Sequence, residues 1–352
     1  MIYSFPKLLE TLVSESGLAL ATVVRTDGST PQVDGASAVF SKAGLVAGTV
    51  GGGVLEARVA ASAAKALADG EPRLITVSLE ADPSDVEGAI CGGTARVLVD
   101  PGVEASKGVF AAALDGFKMR RPGVLASRLR PGHDDTVAVE RGWLPAGAPA
   151  LPDDPVFGGL APEVVGAAVA VGRARLVIET KDRMWFVEPV RPLPRLVVAG
   201  AGHVGRAVAR LGNLLDFSVT VIDDRAEFAN IVNVPEADEV IAADIGEAVK
   251  AVEDSPDNYF VIVTRGHQKD AEALRAAIGR PAAYIGMIGS RRKIEIMECE
   301  FLESGWATKD EWARVHAPIG LAIGSRTVEE IAISIAAELV KVRAARLGTV
   351  KE

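Results

Sequence analysis

A glycine-rich turn between a predicted strand and a predicted helix is the feature that most constrains this chain of 352 residues. The apolar run 196–199 leads into Gly200, Gly202 and Gly205, which have the spacing G-x-G-x-x-G. In such a turn the first glycine permits a tight bend, the second lets a diphosphate approach the backbone, and the third lets the helix pack on the strand. The N-terminus of the helix then faces the anion. The sequence therefore predicts a βαβ unit with a dinucleotide-type crevice.

An acidic pair follows the next apolar run, near the distance at which dinucleotide-binding folds place an acid against a ribose hydroxyl. Residues 219–222 form that run, and Asp223 and Asp224 come directly after it. We expect Asp223 to accept hydrogen bonds from the ribose. His203 lies inside the glycine turn and has two open interpretations. It faces a bound ligand, or it is a structural residue at the start of the helix.

The second half of the chain alternates predicted strands and helices, which indicates an α/β fold with a doubly wound, Rossmann-like parallel sheet. The ligand crevice of such a sheet lies outside the carboxyl ends of its strands. Two further turns fall there and supply the candidate ligand-binding residues Arg265, His267, Gly289, Ser290 and Lys293. Lys293 is also explained by an exposed helix of mixed charge. The predicted strands are 195–199, 219–222, 239–242, 259–263 and 283–288, and the predicted helices are 204–215, 245–253, 269–278 and 290–304.

Three prolines, Pro189, Pro192 and Pro194, predict an extended connector, because proline suits neither a helix interior nor a central strand. We therefore place one domain over residues 1–190 and a second over residues 191–352. The last helical pattern begins near Thr327 and is apolar almost all round. Such a helix is buried in the core or in a subunit interface, and we expect a homodimer.

Composition excludes several classes of partner. The formal charge of −9 opposes binding to nucleic acid or to an anionic membrane surface. No apolar run approaches the roughly 20 residues that a membrane span needs, so we expect a cytoplasmic protein. The two cysteines, Cys91 and Cys299, lack metal-ligand spacing, and we assign no residue as a metal ligand.

The first half of the chain carries a second glycine turn. Gly51, Gly52 and Gly53 precede a predicted alanine-rich helix over residues 54–68, with Glu56 in its first turn. The turn suits an anion at a helix N-terminus, and a tight bend that requires positive φ explains the same glycines equally well. Cys91 beside Gly92 and Gly93 is either open to a ligand or a small buried hydrophobic residue.

Taken together, the two halves resemble the XdhC/CoxI family, whose members assist the maturation of molybdenum hydroxylases such as xanthine dehydrogenase. The resemblance implies an N-terminal α/β domain of the XdhC type followed by the Rossmann-like domain. It rests on segments in one order along the chain: 28–31, 48–56, 91–93, 200–205, 223–225, 264–267 with Asp270, 284–290 with Lys293, 317–321 and 330–332.

The resemblance implies a chaperone that binds the molybdenum cofactor, as molybdopterin or its dinucleotide form. Such a protein protects the cofactor while a cysteine desulfurase replaces an oxo ligand by sulfido, and then delivers it to the apo-hydroxylase. The glycine turns of both halves, Glu56 and Cys91 become candidate cofactor contacts, and we expect the cofactor between the domains with its tail at one glycine turn. The chain departs from the family pattern at three positions. Relatives commonly carry arginine where this chain has Gln32 and aspartate where it has Ala322, and some members carry cysteine where it has Val54.

Two other functions would also use a dinucleotide-type crevice. In an NAD(P)-dependent oxidoreductase, Asp223 would hold the adenosine ribose and His267 would donate a proton, so Cys91 and His267 are the candidate catalytic residues. In a regulatory protein, the crevice would only sense a nucleotide. A Rossmann-like fold does not discriminate these functions, and whether the chain is an enzyme stays open. Copurified molybdenum and pterin would support the chaperone, and turnover of a nicotinamide cofactor would support the oxidoreductase.

Overall fold

The computed structural model describes residues 5–79, 92–149, 153–180 and 183–346. The chain divides into two compact units, residues 1–192 and 193–352. The first unit contains α1 (Phe5–Ser14), β1 (Ala19–Asp27), β2 (Ser37–Ser41), β3 (Gly44–Gly48), α2 (Gly53–Asp69), β4 (Arg73–Ser78), β5 (Thr94–Asp100), a short 3-10 helix (Gly102–Ser106), α3 (Lys107–Lys118), β6 (Gly123–Pro131), β7 (Val137–Pro145), α4 (Pro162–Val171), β8 (Arg175–Thr180) and β9 (Arg183–Val190).

Pro189, predicted to lie in the extended connector, is instead part of β9, where it pairs with Val124 of β6. Strand β8 pairs with β9 only as far as Val187, so Pro189 lies where β9 has a neighbour on one side, a position that tolerates the missing N–H. The second unit begins at Leu193. It contains β10 (Arg195–Ala199), α5 (His203–Leu214), β11 (Ser218–Asp223), β12 (Glu239–Ala242), α6 (Ile245–Ala251), β13 (Asn258–Ile262), α7 (His267–Ala277), β14 (Tyr284–Met287), α8 (Arg291–Glu303), α9 (Lys309–Trp312), β15 (Val315–His316) and α10 (Val328–Arg346).

An antiparallel sheet covered by α2 forms the first layer of the first unit. Its strand order is β3-β2-β1-β5-β4. Helix α2 buries Leu55, Val59, Ala63 and Ala66, which recur every three or four residues and therefore lie on one face. This stripe packs with the inward side chains of β1, β2 and β5 in one core cluster. The predicted helix over residues 54–68 is confirmed.

A second antiparallel sheet has the strand order β7-β6-β9-β8. Apolar residues of β6 and β9 pack with those of α4 and of the segment around Phe157. Residues 101–165, rich in proline, glycine and alanine, predicted only an irregular or helical excursion, and strands β6 and β7 show that this prediction was wrong. Strand β6 pairs both with its neighbour in the chain, β7, and with the distant β9. Pairing across such a separation leaves no local signal.

The second unit is built on a parallel sheet with the order β12-β11-β10-β13-β14-β15. All of its neighbouring strands pair in parallel. The predicted doubly wound sheet is confirmed, and the predicted helices and strands agree with the observed ones to within two residues. The short β15 was not predicted. The chain runs from β10 outward to β12 and then returns to β13, so the topological switch point lies between β10 and β13.

Side chains alternate between the two faces of this sheet, and both faces are covered. Val197 and Ala199 of β10 join the core beneath α6, α7 and α8, whereas Leu196 and Val198 join the core beneath α5 and α10. Helix α10 buries Ala332, Ile335 and Leu339 against this second core. Ile333 of α10 remains half exposed.

Two buried carboxyl groups, those of Asp100 and Glu188, are influenced by one guanidinium in the first unit. Arg141 of β7 forms an ion pair with Asp100 at the end of β5, and both side chains are almost fully buried. Asp100 also accepts a hydrogen bond from the Gly102 N–H at 2.7 Å. Glu188 of β9 is buried as well. Burial raises the pKa of Glu188 to about 8, only partly opposed by the charge of Arg141. Glu188 is therefore a buried acid that favours its neutral form.

We predict that Glu188→Gln removes much of the pH dependence of unfolding between pH 5 and pH 9. A raised pKa in the folded state stabilises the protein fully below the ordinary pKa near 4.5, and this contribution is lost as the pH rises through about 8. Urea unfolding of the full chain should show the variant more stable than the parent at pH 9, by roughly 1–4 kcal/mol. Glu15→Gln, at an exposed position, is the matched control. Equal pH profiles for the parent and Glu188→Gln would refute the account.

Candidate functional site

The three glycines between β10 and α5 have three different environments. Gly200 has φ +115°, and a Cβ there would lie 2.4 Å from the Val263 carbonyl oxygen. A Cβ on Gly205 would lie 1.8 Å from the Gly200 carbonyl oxygen. At Gly202, by contrast, no heavy atom of the described residues comes within 4 Å of the Cβ position. Gly200 and Gly205 therefore serve the fold, whereas Gly202 leaves space at the N-terminus of α5.

Asp223, at the end of β11, is bonded to the glycine turn. Its Oδ2 accepts hydrogen bonds from the Ala201 N–H at 2.8 Å and from Arg225 at 2.9 Å. Its Oδ1 accepts from the Arg225 side chain at 2.8 Å and from the Arg225 N–H at 3.1 Å. Burial works to raise the pKa of Asp223, but the hydrogen bonds from Arg225 and Ala201 outweigh it and hold the pKa below its ordinary value. Asp223 is thus an ionised, buried carboxylate.

Asp224 is the next residue and is more accessible. Its side chain is 20% exposed, against 3% for Asp223. Asp224 Oδ2 accepts a hydrogen bond from the Arg265 guanidinium at 3.2 Å and lies 4.0 Å from Lys269 Nζ. Arg265 belongs to the turn after β13, so this bond joins the turns that follow two different strands. Because β11 and β13 both pair with β10, these turns flank the glycine turn.

A buried carboxylate organises the turn after β13. Asp270 of α7 is fully buried, and its Oδ1 accepts hydrogen bonds from the Thr264 hydroxyl at 2.6 Å and the Thr264 N–H at 3.0 Å. Lys293 donates to Asp270 and to the Ile288 carbonyl at 3.2 Å. Burial raises the pKa of Asp270 against the opposing effect of Lys293 and Thr264. Lys293 therefore ties the turns after β13 and β14 together through contacts inside the domain.

The remaining candidates of this unit lie at helix starts. Ser290 accepts a hydrogen bond from the Lys293 N–H at 3.3 Å and caps α8, and a Cβ on Gly289 would lie 2.8 Å from Ile294. His203 is exposed at the start of α5, where its Nδ1 lies 3.1 Å from an Arg206 nitrogen. His267 begins α7, with its Nε2 3.1 Å from a Glu300 carboxylate oxygen.

The first unit brings three of its glycine segments together. A Cβ on Gly28 would lie 3.1 Å from the Gly93 Cα, and a Cβ on Gly51 would lie 2.8 Å from Pro31. Gly52 and Gly53 both have positive φ, and the described residues leave the space around their Cβ positions open. Both interpretations of the second glycine turn therefore remain compatible with the geometry.

Of the two remaining candidates in this unit, Glu56 and Cys91, only Glu56 lies within the described residues. The Glu56 carboxylate, in the first turn of α2, accepts a hydrogen bond from the Thr49 hydroxyl at 2.8 Å. The Thr49 hydroxyl also accepts from the Gly51 N–H at 3.0 Å, which links Glu56 to the glycine turn. Cys91 lies outside the described residues.

A polar cluster at the β15 edge of the parallel sheet has no counterpart in the sequence analysis. Glu338 of α10 accepts hydrogen bonds from the Tyr284 hydroxyl at 2.5 Å and the Gly320 N–H at 2.8 Å, and its other oxygen lies 3.0 Å from His316 Nδ1. Burial, strengthened by Glu338, raises the pKa of Tyr284. Tyr284 and Glu338 are 54 positions apart in the chain, so no motif points to their contact.

The comparisons with known proteins agree with this architecture. The second unit is a Rossmann domain whose open glycine turn is of the type that binds nucleotides, and it follows a domain of antiparallel sheets. A model of the XdhC Rossmann domain matches residues 196–339, and a model of the XdhC and CoxI family matches residues 13–78. The chain belongs to the XdhC and CoxI family, which confirms the resemblance inferred from the motifs.

Three curated relatives align with most of the chain. The uncharacterized protein YqeB of Escherichia coli K12 is 28% identical over 326 residues, which are 92% of this chain and 43% of YqeB. The chain thus spans less than half the length of that relative. A probable xanthine dehydrogenase subunit from Bacillus subtilis 168 is 26% identical over 97% of this chain and 98% of its own. The molybdenum cofactor insertion chaperone PaoD of Escherichia coli K12 is 22% identical over 95% of this chain and 86% of PaoD.

A solved structure shares the fold. The crystal structure of a xanthine dehydrogenase from Bacillus halodurans superposes with a TM-score of 0.81 and 24% identity, covering 97% of this chain and 96% of that one. Within the described ranges, no helix is long and apolar enough to cross a membrane. Over the same residues, no group of three or more histidine, cysteine or acidic side chains is placed to hold a metal ion.

We predict that Asp223→Asn destabilises the second unit by roughly 1–3 kcal/mol, because it removes the carboxylate to which Arg225 is hydrogen-bonded and leaves only the longer ion pair with Asp224. The depressed pKa of Asp223 stabilises the folded state above the ordinary pKa, and this contribution is lost as the pH falls. The difference between parent and variant in urea unfolding should therefore shrink from pH 7 towards pH 3. The control is Asp254→Asn, which removes an exposed aspartate paired with Arg280. A variant as stable as the parent at pH 7 would contradict the structural role of Asp223.

Proposed function

We propose that this protein is an insertion chaperone for the molybdenum cofactor of a xanthine dehydrogenase-type hydroxylase. Membership of the XdhC and CoxI family supports the proposal. Of the relatives that align with nearly the whole chain, one is named as a probable component of xanthine dehydrogenase and another as a molybdenum cofactor insertion chaperone. The observation that carries the proposal is the family's own Rossmann domain with an open glycine turn at Gly202.

The chemistry of the cargo suits this turn. Molybdopterin ends in a phosphate, and its dinucleotide form ends in a diphosphate and a nucleoside. The first N–H groups of a helix have no partners within the helix and carry partial positive charge. Helix α5 has no side-chain cap at Gly202, so these groups stay available to an anion. Because the chain as a whole has a formal charge of −9, an anionic cargo depends on such local donors.

The proposal also includes sulfuration of the bound cofactor and its delivery to the hydroxylase. A cysteine desulfurase exchanges an oxo ligand of the bound cofactor for sulfido, and the loaded chaperone then meets the apo-hydroxylase. The glycine cluster of the first unit is the second candidate contact with the cargo, and Cys91 is the soft ligand available to a molybdenum–sulfur centre. We also propose that the protein works as a homodimer.

A nicotinamide-dependent oxidoreductase is the competing outcome, since its cofactor uses the same type of glycine turn. That function requires steady turnover of NAD or NADP in the absence of molybdopterin, dependent on His267. Such turnover would contradict the chaperone, and its absence from an assay of the purified protein would support it.

We predict that Gly202→Val abolishes cofactor retention and activation of the hydroxylase while the domain stays folded. A side chain there meets no described protein atom and occupies the space that the cargo needs. Molybdenum and pterin retained by the purified variant should fall at least roughly tenfold, as loss of ~1.4 kcal/mol of binding free energy suffices for that change. Gly108→Val, at another open and exposed glycine in α3, is the matched control. Full retention by a folded Gly202→Val protein would remove the crevice from the proposal.

We predict that Cys91→Ala and Cys91→Ser both reduce hydroxylase activation, since neither alanine nor serine supplies a thiolate. The measurement is reconstitution of apo-hydroxylase with cofactor-loaded chaperone, scored by the sulfide-dependent activity recovered. Cys299→Ser is the matched control, because Cys299 is an exposed free cysteine of α8. If both Cys91 variants activate the hydroxylase as the parent does, Cys91 has only a packing role.

A further inference from the structure

Two adjacent carboxylates, Asp223 and Asp224, follow one another at the crevice, and only Asp224 has unused capacity to accept hydrogen bonds from a ligand. An ionised carboxylate accepts about four hydrogen bonds. Asp223 already accepts four, from the Ala201 N–H and from three donors of Arg225. Its side chain is almost completely buried. A ribose hydroxyl at Asp223 would have to displace a charge-assisted hydrogen bond from Arg225 and open the packing around the turn.

Asp224 has the capacity that Asp223 lacks. Its Oδ2 accepts a hydrogen bond from Arg265 at 3.2 Å, whereas its Oδ1 lies 3.9 Å from Arg225 Nε, beyond hydrogen-bonding distance. The carboxylate also follows β11 at the carboxyl edge of the sheet, where open α/β sheets bind their ligands.

The partner of Asp224 is itself a suitable ligand group. Arg265 is more than half exposed, and its guanidinium matches phosphate oxygens in a bidentate arrangement. The Arg265–Asp224 bond joins the two turns that flank Gly202 and its neighbours. A nucleoside diphosphate has ribose hydroxyls that can donate to a carboxylate and phosphates that accept from a guanidinium, so its chemistry matches both members of the pair.

We propose that Asp224 is the residue that recognises the ribose of a ribonucleoside diphosphate in this crevice, while Asp223 holds the glycine turn. Ribose hydroxyls replace the Arg265 N–H on Asp224, and Arg265 turns to the diphosphate. The inference rests on the proposed function, in which that diphosphate and nucleoside are the tail of the dinucleotide form of the cargo.

The test compares nucleotides that differ only at the ribose. Dissociation constants of CDP, GDP and ADP are measured by titration calorimetry with the full chain. The nucleotide that binds most tightly is then compared with its 2′,3′-dideoxy analogue. The parent protein should prefer the ribonucleotide by roughly tenfold or more, as expected for hydrogen bonds to a charged group. In Asp224→Asn this preference should disappear, with the affinity for the dideoxy analogue unchanged.

Two further variants separate recognition from structure. Arg265→Ala should weaken both nucleotides, because Arg265 contacts the diphosphate, and should keep or increase the preference for the ribonucleotide, because Asp224 no longer has to release Arg265. Asp254→Asn, which breaks an aspartate–arginine pair outside the crevice, should leave both affinities and the preference unchanged. Equal weakening of both nucleotides by Asp224→Asn, with a lower melting temperature, would show that Asp224 has a structural role and does not recognise the ribose.

The outcomes separate this inference from the proposed function. If Asp224→Asn keeps the preference for the ribonucleotide, or weakens both nucleotides equally, the assignment of the ribose to Asp224 is wrong and the nucleotide-binding crevice stands. If the parent binds no nucleoside diphosphate but retains molybdopterin through Gly202, the inference fails and the chaperone stands. If it retains neither, both are wrong.

Discussion

The closeness of α5 to β10 is the constraint on which the second unit depends. A Cβ on Gly205 would lie only 1.8 Å from the Gly200 carbonyl oxygen, so the helix reaches this position only with glycine there. The same turn is held from the other side, since the Gly200 N–H donates to the Ile222 carbonyl at 2.7 Å and the Ala201 N–H donates to Asp223. The N-terminus of α5 is thereby fixed at the carboxyl end of β10, next to the switch point of the sheet.

Burial divides the acidic residues of this region into two groups. Asp223 and Asp270 are buried and hold the turns after β10 and β13 through backbone N–H groups and one cation each. Asp224 is partly exposed, and its ion pair with Arg265 lies closer to the surface. Removing a partner from a buried charge is more costly than breaking an exposed pair. Under the proposed function, these rigid turns and the ion pair of Asp224 and Arg265 between them receive the anionic ligand.

Local patterns predicted the parallel sheet, because its buried strands are short apolar runs that end in glycine or polar turns. They did not predict the sheet of β6 to β9, since β6 pairs with β9 across a long stretch of chain. The positions of the candidate site residues of the second unit, such as Asp223 and Arg265, followed from the ends of β11 and β13. The different hydrogen-bond partners of Asp223 and Asp224 could not be predicted from the sequence, because they depend on where the Arg225 side chain points. The contact between Glu338 and Tyr284 could not be predicted either, because it forms only when α10 packs against the sheet.

The central claim is that the protein carries the molybdenum cofactor, and its direct test is the content of the purified chain. The full chain is isolated from a host that makes the cofactor and from a matched host that does not. Molybdenum is measured by elemental analysis, and pterin by fluorescence after oxidation. The account predicts molybdenum and pterin in equal amounts in the first preparation and neither in the second. Folded protein from the cofactor-producing host that holds neither, and that turns over a nicotinamide cofactor, would contradict it.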